Sequence, residues 1–169
     1  RLTAPHATDL WTQGERFGTI GAVVGGFMAR LVKMTAMPEM VALFNGFGGL
    51  ASTLVAGAEL LLLQNGTVDV LIAMALSGVI GTVTFWGSLV AFGKLQGLIS
   101  GKPVVFKGQH LLNALLGLAT VALAVHFALT GSVVSLTLMP LLAFVIGVTL
   151  IIPIGGADMP VIISMLNSY

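Results

Sequence analysis

The chain has 169 residues, of which 57% are hydrophobic and only 8% charged, with a formal net charge of +1. Soluble domains carry about 25% charged residues, so this composition excludes a free-standing soluble enzyme, and the near-zero net charge gives no basis for nucleic-acid binding. Cysteine is absent, which removes disulfides and cysteine-ligated metals.

Residues 1–16 form a polar segment containing Pro5 and His6 and do not read as a signal peptide. A short apolar run covers residues 17–32. Crossing a bilayer core takes about 20 apolar residues, and four later stretches meet that length. Residues 38–63 are closed by Gln64-Asn65-Gly66. Residues 68–92 are closed by Gly93-Lys94. Residues 111–129 end at Thr130-Gly131-Ser132. Residues 133–152 stop at Pro153 and Gly155-Gly156. A further helix starts at Pro160 and runs to Tyr169. The fold expected is an all-α polytopic transmembrane bundle of five to six helices over residues 17–169. Its 22 glycines suit close helix packing in lipid.

Lys and Arg mark the cytoplasmic side of a membrane protein. Arg30 and Lys33 precede the first full span, while Lys94, Lys102 and Lys107 follow the second. Two crossings separate these groups, so one side holds both. The turns at 64–67 and 130–132 have no Lys or Arg and fall opposite, which returns residues 155–160 to the basic side. Arg1 and Arg16 break the scheme, because the residues between Arg16 and Arg30 are too few for two crossings. Either the run 17–32 is one short crossing or residues are lacking around Arg16–Phe17; the second is the expectation.

Two helix starts echo one another. Residues 35–46 read TAMPEMVALFNG and residues 157–168 read ADMPVIISMLNS, each with Met-Pro and an Asn seven positions after the Pro. Proline suits a first helical turn, and Thr35 and Asp158 are candidate N-caps. Seven residues rise about 10 Å, so Asn45 and Asn167 should share a depth within the hydrocarbon. A buried amide must find partners. Each asparagine is therefore either an interhelical clip or part of the lining of a hydrated path, to which Ser88, Thr82 and Thr84 on another helix would add. Asp158 is either a plain N-cap or an ionisable group at the membrane face. Glu39 complements a helix dipole, Glu59 reaches the interface, His126 is interfacial, and His110 beside Gln109 and Asn113 belongs to a cap or loop. The three histidines have no metal-ligand spacing. No P-loop, H-E-x-x-H or G-x-S-x-G occurs, and the glycines at 21–26 and 46–49 lie in helix-like sequence rather than after a strand.

Residues 155–169, GGADMPVIISMLNSY, resemble a segment of the membrane domain, often called domain II, of the proton-translocating NAD(P) transhydrogenase β subunit. Residues 34–49 (MTAMPEMVALFNGFGG), 81–97 (GTVTFWGSLVAFGKLQG) and 103–113 (PVVFKGQHLLN) agree in the same order. The resemblance implies a proton route coupled to hydride transfer between NAD(H) and NADP(H), which are held on soluble domains and not on this chain. It implies as partners an α subunit with its NAD-binding domain and membrane helices, the NADP(H)-binding domain of the same subunit, and the bilayer, in a dimeric enzyme of the bacterial or mitochondrial inner membrane. It implies that further helices and the NADP(H) domain follow this stretch. By resemblance, Asn45, Ser88 and Asn167 line the path. Asn45 stands where many relatives have a histidine, so it would hold water rather than carry a proton. Asp158 matches the acid at the cytoplasmic mouth and would gate or couple. No catalytic, cofactor-binding or metal residue is expected. The competing readings are a passive membrane scaffold and a small-solute transporter built on the two Met-Pro starts.

Overall fold

The computed structural model describes residues 7–62 and 66–168. Arg1, His6, part of the 64–67 turn, the expected helix end at residue 63 and Tyr169 lie outside the described residues. Six α-helices are present among the described residues: α1 (Ala7–Leu31), α2 (Met37–Leu62), α3 (Val68–Leu95), α4 (Gln109–Thr130), α5 (Val133–Ile151) and α6 (Met159–Asn167). The all-α bundle read from the sequence is the observed fold. Among the described residues, four segments are long and apolar enough to cross a membrane: Met34–Leu62, Val68–Leu95, Gln109–Thr130 and Val133–Ile151.

The chain divides into two compact units, Arg1–Met37 and Pro38–Tyr169. In the first, α1 runs without a break through Arg16 and Phe17, and it begins well before the apolar run that starts at residue 17. Phe17, Ile20, Val24 and Phe27 are exposed along it. A single 3₁₀ turn, Met34–Ala36, follows. Thr35 lies inside that turn and does not cap α2, because the chain is already wound one residue earlier.

In the second unit α3 is the central helix, packed on α2, α4, α5 and α6. Its outer neighbours turn large apolar side chains outward: Leu61 is 87% exposed, Leu118 67% and Leu129 76%. Such a surface is stable only against lipid. Two apolar clusters form the interior. Near one end Ala42, Val90, Ala91, Ile151, Met159 and Ile163 pack together, and near the other Ala56, Met74, Ala75, Phe127, Leu136 and Met139.

Between the clusters the helices touch backbone to backbone. A Cβ on Gly49 would fall 2.6 Å from the Gly81 carbonyl oxygen, and one on Gly147 would fall 2.9 Å from that of Val83. Glycine is what permits α2 and α5 to close on α3 from two sides. This is the small-residue packing that replaces hydrophobic drive between helices in lipid. At the ends of α4, Gly108 (φ 84°) and Gly131 (φ 64°) adopt left-handed backbone that other residues resist.

The loop after α3 is fastened to the turn after α5. Val104 N–H donates to Ile152 O at 3.2 Å and Gly156 N–H to Gly101 O at 2.8 Å. At the start of α2, the Gln96 amide donates to the Glu39 carboxylate. The start of α2, the end of α3, the loop bearing Lys102 and the Gly155 turn therefore share one end of the bundle, as the charge pattern of this unit required.

Candidate functional site

Polar side chains meet in rungs along the antiparallel α2–α3 seam. Asn45 Nδ2 donates to Ser88 Oγ at 3.0 Å. Gly46 makes this approach possible, since a Cβ there would already lie 3.2 Å from the Ser88 Cβ. About two turns along α2 toward the other end, the Thr53 and Thr82 hydroxyls are 3.3 Å apart. Thr82 donates to Gly78 O of its own helix, so that its oxygen accepts from Thr53, whose single proton is shared with Gly49 O. Glu39 and Gln96 form the rung at the loop end. Antiparallel pairing of two helices with glycines at the crossing puts these three pairs in register.

Ser88 is completely buried and Asn45 half-buried. The Asn45–Ser88 pair has no ionisable partner among the described residues. The rung is therefore neutral and closed to bulk water on the Ser88 side. Thr53 and Thr82 border a cleft of about 320 Å³ whose other walls are Leu50, Phe85, Trp86, Pro140, Leu141 and Phe144. Trp86 and Phe144 stack edge to face across it, 4.5 Å apart. Its lining is apolar apart from the two threonines.

Asn167 does not join this seam. It is exposed and makes no hydrogen bond among the described residues. Its neighbour Leu166 reaches Gly87, next to Ser88 on α3. Asn45 thus meets Ser88, and Asn167 meets neither. Thr84 packs against Gly49 through its Cβ rather than joining a polar rung.

Asp158 occupies the N-cap position of α6, yet its side chain makes no capping hydrogen bond. It is exposed, and Oδ2 leans back over Gly155, 3.7 Å from where a Cβ would stand. The carboxylate is thus presented at the surface of the loop end.

Other sites differ from the sequence reading in detail. Gly108, not His110, caps α4, and His110 is exposed. Gln109 is buried and donates to Thr149 O at 2.8 Å, while Thr149 donates to Asn113 Oδ1 at 2.6 Å. At the far end His126 Nδ1 lies 2.7 Å from the buried Ser135 Oγ. Sequence reasoning missed Ser135 and named Gln109 only as a neighbour of His110, and no short-range pattern shows what either meets. It also read Lys94 only as a topology marker, whereas Lys94 is 4% exposed and held by three backbone carbonyls.

Apolar outer faces, glycine-closed spans and a polar seam inside define a polytopic helical membrane protein. The model of the NAD(P) transhydrogenase beta subunit family matches residues 6–169, and the chain belongs to that family. Two curated Rhodospirillum rubrum proteins, each named NAD(P) transhydrogenase subunit beta, are 50% identical to it over 158 residues, which is 89% of this chain and 34% of each relative. The chain spans about a third of the length of these relatives.

Proposed function

We propose that this chain forms part of the proton-conducting membrane domain of an NAD(P) transhydrogenase, with the α2–α3 seam as the route. The Asn45–Ser88 hydrogen bond carries the reading: two polar groups meet inside a glycine-closed, lipid-facing bundle, at the level where a proton must be kept hydrated. Neither side chain ionises near neutral pH. Asn45 would therefore conduct by hydrogen-bonding to water and leave the charge on the water. Thr53 and Thr82 extend the polar track toward the far end, and Asn167 stands off the seam beside Leu166, which reaches Gly87. Asp158, exposed at the loop end, is the group through which occupancy of the NADP(H) site would be felt.

Ser88 is sealed in this conformation, so conduction requires a second state in which water reaches the rung. That agrees with a gated device, since a permanently open route would dissipate the gradient. In this reading NAD(H) and NADP(H) stay on soluble domains. The partners are an α subunit, the NADP(H)-binding domain of the same subunit and a second copy of the whole enzyme, in a bacterial or mitochondrial inner membrane.

A second reading has its own support. The burial of Ser88 and the lack of an ionisable neighbour also describe a helix clip in a passive scaffold. Asn45→Leu in the complete enzyme, reconstituted in vesicles with a pH-sensitive dye, separates the two. The conducting reading expects proton uptake to fall about 100-fold with assembly retained, as when a water-holding group is lost from a buried path. Undiminished uptake leaves the rung as a clip.

A further inference from the structure

The buried ammonium of Lys94 is the charge that the proposed route does not use. Among the described residues no carboxylate lies within ion-pair distance of it, a costly situation for a buried cation. All three of its N–H donors are nevertheless placed: on Ile152 O at 2.6 Å, Ile154 O at 2.7 Å and Lys102 O at 3.3 Å. Ile152 is the C-cap of α5. The ammonium therefore sits at the negative end of the α5 dipole, on carbonyls at and just past its last turn and on one carbonyl of the loop.

The three carbonyls come from two separate segments. Lys102 belongs to the loop after α3, and Ile152 and Ile154 lead directly into the Gly155–Asp158 turn. Backbone bonds from Val104 to Ile152 and from Gly156 to Gly101 flank the ammonium. The turn bearing Asp158 rests on that loop, with a Cβ at Gly155 meeting Pro103 Cγ at 3.8 Å. Lys94 and Ser88 stand on one rigid helix, about 9 Å apart along its axis.

We propose that Lys94 is a positioning residue that locks the Asp158 turn to α3, so that the Asn45–Ser88 rung and the Asp158 carboxylate move as one body. The proposal rests on the proton-route reading and adds to it the part that joins the route to its mouth. Loss of the ammonium removes three hydrogen bonds and leaves the turn held to the loop by two backbone bonds.

The test uses the complete enzyme in vesicles, carrying Lys94→Met or, as the milder change, Lys94→Gln. Two quantities are read: amide hydrogen exchange over residues 101–104 and 152–158, and the ratio of protons moved to hydride transferred. A variant that merely folds less well lowers both rates together and leaves the ratio alone. The expected result for Lys94→Met is exchange faster by about tenfold or more at Val104 and Gly156 and a ratio reduced about threefold or more, with Lys94→Gln between it and the parent. If Lys94→Met does not assemble, Lys94→Gln decides by the same two readings. Unchanged exchange overturns the lock. Faster exchange with an unchanged ratio overturns the positioning role. If that happens while Asp158→Asn still uncouples the enzyme, the proton-route reading survives and only the Lys94 assignment fails. If Asp158→Asn and Asn45→Leu are silent as well, the route itself is refuted.

Discussion

The starts of α2 and α6 are built alike and end up in different surroundings. Each is preceded by a 3₁₀ turn, Met34–Ala36 and Gly156–Asp158. The residue before each turn is extended, with φ −68° and ψ 146° at Lys33 and φ −68° and ψ 150° at Gly155. The first helical residue has φ −60°, ψ −43° at Met37 and φ −56°, ψ −40° at Met159. The Met-Pro pair thus writes the same backbone twice, through the fixed φ of proline and its missing donor. The asparagines that follow part company. Asn45 meets Ser88 across a glycine contact, whereas Asn167 stays exposed. Local sequence sets the helix start and the depth. What a polar side chain meets at that depth is decided by the neighbouring helix.

The glycine contact is the most direct way to break that difference. Gly81→Ala puts a methyl 2.5 Å from Gly49 O and as close to Thr53 Oγ1, with no flexible tip on the carbonyl side to give way. Overpacking of this kind costs about 1–3 kcal/mol, and the rungs on both sides would be pulled apart. Gly48→Ala, one position from Gly49 but facing open space, should be neutral. Thermal unfolding of the two variants in detergent measures the gap; equal midpoints would mean that α2 does not close on α3 as described.

The next effect is smaller and compares the asparagines themselves. Polar pairs between membrane helices are worth about 0.6 kcal/mol on average. A double-mutant cycle on Asn45→Ala and Ser88→Ala should return a coupling of that order. Asn167→Ala, paired with the same Ser88→Ala, should return none, because additivity holds for sites without a shared contact. Coupling at Asn167 comparable to that at Asn45 would place both amides on one path and erase the difference drawn above.

Much of this was legible before any coordinates, for physical reasons that can be named. Span number followed from apolar length, and the shared end of residues 94–109 and 155–160 followed from where Lys residues cluster. The Met-Pro echo followed from proline stereochemistry. Pairings were not legible. Ser88 could be flagged as polar in an apolar helix, but nothing local says that Asn45 and not Asn167 faces it. Lys94 read as a topology marker because sequence shows a charge and not the three carbonyls that fold back onto it. Thr35 read as a cap because Thr before Met-Pro fits that role, and the 3₁₀ turn that displaces it depends on the extended residue before.

The smallest effect separates fold from function at Asp158. A capping aspartate accepts a bond from its own helix, and its loss costs about 1 kcal/mol. Asp158 makes no such bond, so its remaining contribution is the interaction of an exposed charge with a helix end, about 0.3–1 kcal/mol and screened by salt. Asp158→Asn should therefore shift the unfolding midpoint by no more than a degree or two in about 0.15 M salt. A loss the size of a true cap would show that the carboxylate folds back onto α6 and serves the helix. A silent midpoint, set beside Glu39→Gln at the other Met-Pro start, would leave Asp158 with no structural reason for its charge.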